Sequence, residues 1–150
     1  MRVVVQRVNG ASVRVDGETV GRCGPGYLLL VAAHRDDTPE IAAKCAGRVA
    51  NLRVMADPDG RMNLALRDVT ADGPQALAIS QFTLYGDTTQ RRPSFVSSAP
   101  GDIARPLFEA FVTALRANGV ETETGVFGAH MEVELVNDGP VTVIIDEPAG

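Results

Sequence analysis

The segment Tyr27–Ala33 is the longest uninterrupted apolar run in the chain, and it restricts the fold more than any other feature. Seven residues fall far short of the ~20 needed to cross a bilayer. The run has no polar position to face water, so it reads as a strand covered on both faces. The rest of the chain must supply both covers.

Residues 2–8, Arg-Val-Val-Val-Gln-Arg-Val, read as a buried first strand. Residues 11–15 and 18–23 alternate around Asp16-Gly17, a hairpin signal. A helix follows, with Thr38 as N-cap, Pro39 at its first position and Ile41, Cys45, Val49 and Leu52 on one face. Leu52 to Met55 read as a short strand, Asp57-Pro58-Asp59-Gly60 as a turn, and residues 76–84 as a further strand. After a loop from Gly86 to Pro100, a second helix is expected from Ile103 to Asn118. Asp102 is its N-cap candidate, Gly119 its stop, and Leu107, Phe111 and Leu115 its core stripe. Met131 to Val136 alternate as a half-buried strand, with Met131, Val133 and Leu135 on one face. Asn137-Asp138-Gly139-Pro140 is expected to turn the chain into a last strand, Val141 to Ile145. Many strands against two helices imply a mixed α/β fold: curved β-sheets form a barrel-like core with two main helices packed on one side. At 150 residues this is one domain, 1–150, large enough to need no disulfide or metal staple.

Charge narrows the function classes. Fourteen basic against nineteen acidic residues leave a net charge of −5, which excludes a generally basic nucleic-acid coat but leaves room for a local patch. All the cations except Lys44 are arginines, suited to bidentate phosphate or carboxylate contacts. Cys23 and Cys45 are expected as free thiols. His34 and His130 stand in no finger spacing with them, which disfavours a structural zinc site; no metal and no cofactor is expected. The N-terminus, MRVVVQRV, shows no signal-peptide pattern, and no segment is a membrane candidate. A cytoplasmic protein is the expectation.

The usual catalytic motifs are missing. There is no Gly-x-Ser-x-Gly elbow, no Gly-Lys-Ser phosphate loop and no His-Glu-x-x-His. Three segments stand out instead. Ser80-Gln81-Phe82-Thr83-Leu84 closes a strand. Asn137-Asp138-Gly139-Pro140-Val141-Thr142 places a ladder-breaking proline where a hairpin would sit. Arg91-Arg92-Pro93-Ser94-Phe95 is a basic loop.

The first two of these motifs, in this order, resemble the D-aminoacyl-tRNA deacylase (D-tyrosyl-tRNA deacylase) family. The likeness runs the length of the chain, through Gln6-Arg7-Val8, Ala11-Ser12-Val13, Asn51-Leu52-Arg53, Met62-Asn63-Leu64, Arg91-Arg92-Pro93-Ser94-Phe95, and Gly125 with Phe127-Gly128-Ala129 and Met131. One departure stands out. Related sequences carry a longer, more basic stretch before the Arg-Arg-Pro-Ser-Phe, where this chain has only Thr89-Gln90.

The resemblance implies an editing hydrolase that removes D-amino acids and glycine from tRNA and rejects L-amino acids. It implies aminoacyl-tRNA as substrate and a homodimer with Gly139-Pro140, in cis, reaching into the partner's pocket. Ser80, Gln81, Phe82 and Thr83 would form the pocket floor, and Arg7 would hold the Gly-Pro element. Phe127, Gly128, Ala129 and Met131 would lie near the terminal adenosine. A 2′-hydroxyl beside the ester fits the missing triad, with backbone N–H groups near Phe82 and Thr83 stabilising the oxyanion. Thr83 as a covalent nucleophile is the rival mechanism. A non-catalytic module that binds the tRNA end and a conventional small-ester hydrolase are the rival functions.

Overall fold

The computed structural model describes residues 1–148; the last two residues of the expected 1–150 domain lie outside that span. Strand β1 (Arg2–Val15) is the spine. Two segments expected to be separate are one strand of fourteen residues. Asp16 and Gly17, both at positive φ, turn it into β2 (Glu18–Cys23), and β3 (Gly26–Ala32) follows. β2 pairs antiparallel with the outer half of β1 and β3 with its inner half. Strand β8 (Glu132–Asp146) pairs antiparallel with both halves. Each β1 residue from Val3 to Val5 and from Ala11 to Val13 thus has one partner on each side. β2 and β3 therefore lie end to end along one edge of β1, and β8 along the other.

The sheet continues from β3 into β6 (Ala76–Ser80) and β7 (Thr122–Thr124), both parallel additions. It then curls back towards its start. The Arg22 N–H donates to the Glu123 carboxylate at 2.9 Å. A Cβ on Gly21 would collide with the carbonyl oxygen of Thr124, so only glycine lets β2 and β7 approach this closely. The result is a nearly closed barrel-like sheet. A small hairpin of β4 (Met55–Ala56) and β5 (Met62–Leu64) stands apart.

Helices α1 (Pro39–Asn51) and α2 (Gly101–Ala117) cover one face. The Thr38 hydroxyl accepts from the Ile41 N–H as expected, a cap worth about 1 kcal/mol. α2 begins two residues earlier than expected, and Pro100 rather than Asp102 is its N-cap. Its stripe of Leu107, Phe111 and Leu115 is buried as its spacing requires.

Period-two alternation splits the apolar residues into two cores. Tyr27, Leu29 and Val31 of β3 and Ala76 and Ala78 of β6 face the helices. Leu28 of β3 and Leu77 and Ile79 of β6 fill the curl, with Val8, Val13 and Cys23. Small residues on β6 let the helices lie close, and large ones fill the curl.

The Asn137–Pro140 segment departs most from its reading. It does not reverse the chain; β8 is a single strand that runs through it. Between the pairs Gln6↔Thr142 and Val8↔Asn137, the residues 138–141 stand opposite Arg7 alone. This is a wide bulge, and it has a packing purpose. Before it, Val133 and Leu135 face the curl; after it, Val141, Val143 and Ile145 face the helices. A uniform strand cannot change cores, because each register step sends its side chains to the other face. The bulge makes that change.

Candidate active site

Strand β6 delivers Ser80 to the end of the sheet, paired with Val31. No ladder partner lies further along. β7 reaches only as far as Ala78, so the chain leaves the sheet at Gln81, four residues before the expected end. The Gln81 N–H still donates to the Val31 carbonyl at 2.8 Å. Phe82–Tyr85 then form a single 3₁₀ turn, closed by the Gly86 N–H to the Thr83 carbonyl at 2.9 Å. The leading N–H groups of such a turn have no partner within it. Those of Phe82 and Thr83 donate to no protein acceptor among the described residues.

The turn is braced from outside. The Ser98 hydroxyl donates to the Phe82 carbonyl at 2.8 Å. Phe95, from the basic loop, meets the Phe82 ring edge-on at 5.2 Å. That loop is pinned at its base by paired Asp87–Ser94 backbone hydrogen bonds of 2.7 and 3.0 Å. The Asp87 carboxylate accepts from the Thr89 N–H and hydroxyl, which hold its pKa below the ordinary value.

Beside the turn lies a cavity of about 640 Å³, within the range of roughly 300–1,000 Å³ typical of small-ligand pockets. Ser80, Gln81 and Phe82 line it, and so do Phe127, Gly128, Ala129 and Met131. Two groups of expected residues, some fifty positions apart in the chain, therefore share one concavity. Thr83 does not line it; its hydroxyl accepts from the Gln81 side-chain amide. An amide cannot serve as a general base.

No site role is expected of His130, Phe95, Ser98 or Phe108, yet all four line the cavity. His130 immediately precedes the expected strand Met131 to Val136, and Phe108 falls within the expected second helix. Phe95 belongs to the Arg-Arg-Pro-Ser-Phe motif, which was its signal; for Phe108 nothing distinguished cavity wall from core. His34 lies elsewhere, its Nδ1 accepting from the Asp36 N–H at 3.1 Å and its ring edge-on to Tyr85. Neither histidine is hydrogen-bonded to Ser80 or Thr83. Burial pushes the Cys23 and Cys45 thiols up to about 11 and about 12, and neither lines the cavity, so no thiolate serves it.

Arg7, Gly139 and Pro140 form a second, separate constellation and do not line this protomer's cavity. The Arg7 guanidinium donates to the Asp138 carbonyl at 3.2 Å and the Val54 carbonyl at 2.8 Å. It also faces the Asp138 carboxylate at 3.4 Å. Asn137 closes the base of the bulge, accepting from the Val141 N–H at 3.3 Å and donating to the Thr142 hydroxyl at 3.0 Å. Gly139 sits at φ +126°, the Gly139–Pro140 peptide is cis, and both residues are exposed.

A family model described as D-Tyr-tRNA(Tyr) deacylase matches residues 4–146. The chain belongs to that family. By family it is a deacylase, a hydrolase acting on a carboxylic ester. It is 50% identical over 149 residues to the D-aminoacyl-tRNA deacylase of Deinococcus deserti, covering 99% of this chain and 100% of that one. It is 54% identical over 147 residues to the D-aminoacyl-tRNA deacylase of Thermomicrobium roseum, covering 97% and 94%. Among solved structures, a c-Myc DNA Unwinding Element Binding Protein superposes with a TM-score of 0.92 at 34% identity, covering 99% of this chain and 100% of that one.

Proposed function

We propose that the cavity hydrolyses the ester joining a D-amino acid, or glycine, to the terminal adenosine of tRNA, and rejects L-amino acids. The observation that carries this reading is the convergence of Ser80, Gln81 and Phe82 with Phe127, Gly128, Ala129 and Met131 on one cavity, in a chain of the deacylase family. Phe127, Gly128, Ala129 and Met131 lie against the adenosine, and the Ser80–Thr83 segment holds the ester.

The ester is already activated, so catalysis reduces to positioning and charge stabilisation. Water attacks the carbonyl carbon, and charge builds on the carbonyl oxygen. The free N–H groups of Phe82 and Thr83 are the donors suited to it. The neighbouring ribose 2′-hydroxyl relays a proton from the water to the departing 3′ oxygen as the acyl bond breaks. Thr83 as nucleophile is disfavoured, because its hydroxyl has a side-chain amide beside it and no base.

Selectivity comes from the bulge of a second copy. Gly139 and Pro140 are exposed and do not line their own cavity, which suits an element that completes a partner's site. The outer edge of β8 has no strand partner among the described residues. Val136 and Ile144 flank the bulge at 60% and 62% exposure. Such an edge is ordinarily covered, and an isologous two-fold dimer covers it. Backbone carbonyls at Gly139–Pro140 bind the α-ammonium and leave no room for an L side chain. A D side chain points out of the pocket, and glycine has nothing to exclude. Charged tRNA is the cytoplasm's currency, and the reading places the enzyme there; no helix among the described residues is long and apolar enough to cross a membrane.

The test pairs D- and L-aminoacyl-tRNA hydrolysis with light scattering. The expected result is a mass near twice 15.8 kDa and rapid cleavage of the D form alone. Equal cleavage of both forms, or full selectivity from a monomer, overturns the reading.

A further inference from the structure

A second concavity of about 280 Å³ lies between α2 and the segment that follows β7. It adjoins the first cavity, because Phe108 and Phe127 line both. Their rings, 6.1 Å apart, form the shared wall. On the far side of that wall stand Arg105 and Arg116, with Glu109 between them on the same helix face.

Arg105 is held in an unusual way. Its guanidinium lies over the Phe127 ring, 4.8 Å from the centroid. Glu109 is one helical turn further on, yet Arg105 makes no ion pair or side-chain hydrogen bond among the described residues. An arginine held over an aromatic ring by a cation–π contact, with no ion pair of its own, keeps N–H donors available and loses less freedom when they bind. Arg116 is oriented too, by two hydrogen bonds to the Thr122 carbonyl at 3.1 and 2.8 Å. In a chain of net charge −5, two ordered guanidiniums beside a candidate adenosine pocket are a local exception to the prevailing sign.

We propose that this groove binds the phosphate linking the terminal adenosine to the preceding nucleotide, with Arg105 as its donor and Arg116 at the far end. The assignment rests on the reading that the first cavity takes the terminal adenosine. A strand whose last base rests against one side of Phe127 then leads its backbone over the ring edge to Arg105. Arg105 contributes binding to any RNA 3′ end whatever the amino acid, because it contacts no part of the ester.

The experiment compares wild type, Arg105→Ala, Arg105→Lys and Glu109→Gln on two substrates: full D-aminoacyl-tRNA, and D-aminoacyl-adenosine, which has no phosphate. Arg105→Ala should raise KM for the tRNA about tenfold with kcat little changed, the size expected for one charge-assisted hydrogen bond. On D-aminoacyl-adenosine both parameters should stay within about twofold, which also verifies that the variant is folded. The log–log salt dependence of the tRNA KM should become shallower by about 0.7, the loss of one single-strand phosphate contact. Arg105→Lys should recover part of the loss, and Glu109→Gln should tighten tRNA binding alone. Equal losses on both substrates would mean that Arg105 only steadies Phe127, and would overturn the phosphate assignment; no loss on either would overturn it too. Failure of wild type to cleave either substrate would instead overturn the adenosine reading beneath it.

Discussion

The cavity and the Gly139–Pro140 bulge are built in opposite ways. The cavity is concave and largely apolar, drawing Val31, Ile79, Phe108 and Phe127 from four parts of one chain. Its polar lining includes Phe82, whose backbone N–H the fold leaves free, and the equally free Thr83 N–H follows it in the same turn. The bulge is exposed at Gly139 and Pro140, and its own chain braces the residues that flank this pair. Arg7 takes the Asp138 carbonyl, and Asn137 reaches across the Gly-Pro pair to Val141 and Thr142. A pocket can be completed within one protomer. An outward-facing element of this kind, if it is the proposed selective element, needs a second copy to present a pocket to it. The proposed function divides labour along this line: chemistry in the cavity, discrimination at the bulge.

The strongest test of that division acts on the substrate. An aminoacyl-tRNA ending in 2′-deoxyadenosine should lose about 10²–10³-fold in kcat, the scale of removing a key transition-state interaction. Thr83→Ala should stay within about tenfold of wild type. Single-turnover kinetics on both would decide; an acyl adduct on Thr83 in mass spectrometry would reverse the assignment.

Gly139→Ala comes next. The added Cβ would stand 2.9 Å from Val141 Cγ2 and 3.2 Å from an Arg7 guanidinium nitrogen, at a φ of +126° that L residues rarely adopt. It would also intrude where the substrate's α-carbon approaches. Hydrolysis of D-aminoacyl-tRNA and glycyl-tRNA should fall together, by about tenfold or more. A selective loss of one of them would break the account of the filter.

The smallest effect is expected from Arg7→Ala. It leaves the Asp138 and Val54 carbonyls without their donor, at a cost of about 1–3 kcal/mol. Thermal unfolding should register that loss while the fold survives. The ratio of D to L cleavage should fall more than the D rate itself. An unchanged ratio would confine Arg7 to stability and detach it from selectivity.

Elements set by short-range chemistry were legible before any coordinates. Thr38 and Pro39 mark a helix start, Asp16-Gly17 a tight turn, and Leu107, Phe111 and Leu115 a buried stripe, because caps, turns and periodicity are properties of neighbouring residues. Motif likeness carried the family, and with it the candidate site residues, several of which line the cavity. What stayed hidden depended on partners distant in the chain. Whether residues 76–84 continue as a strand is decided by where β3 and β7 stop, and neither stop is written in those nine residues. Phe108 has the same helical spacing whether it faces core or cavity. Asn-Asp-Gly-Pro has the composition of a turn, and only pairing of both flanks with β1 makes it a bulge that carries β8 from one core to the other. The sequence by itself determined which segments could be helix, strand or turn, through local backbone and hydrophobic preferences. Tertiary pairing alone decided which of them meet, because register and burial belong to contacts between segments and to neither segment alone.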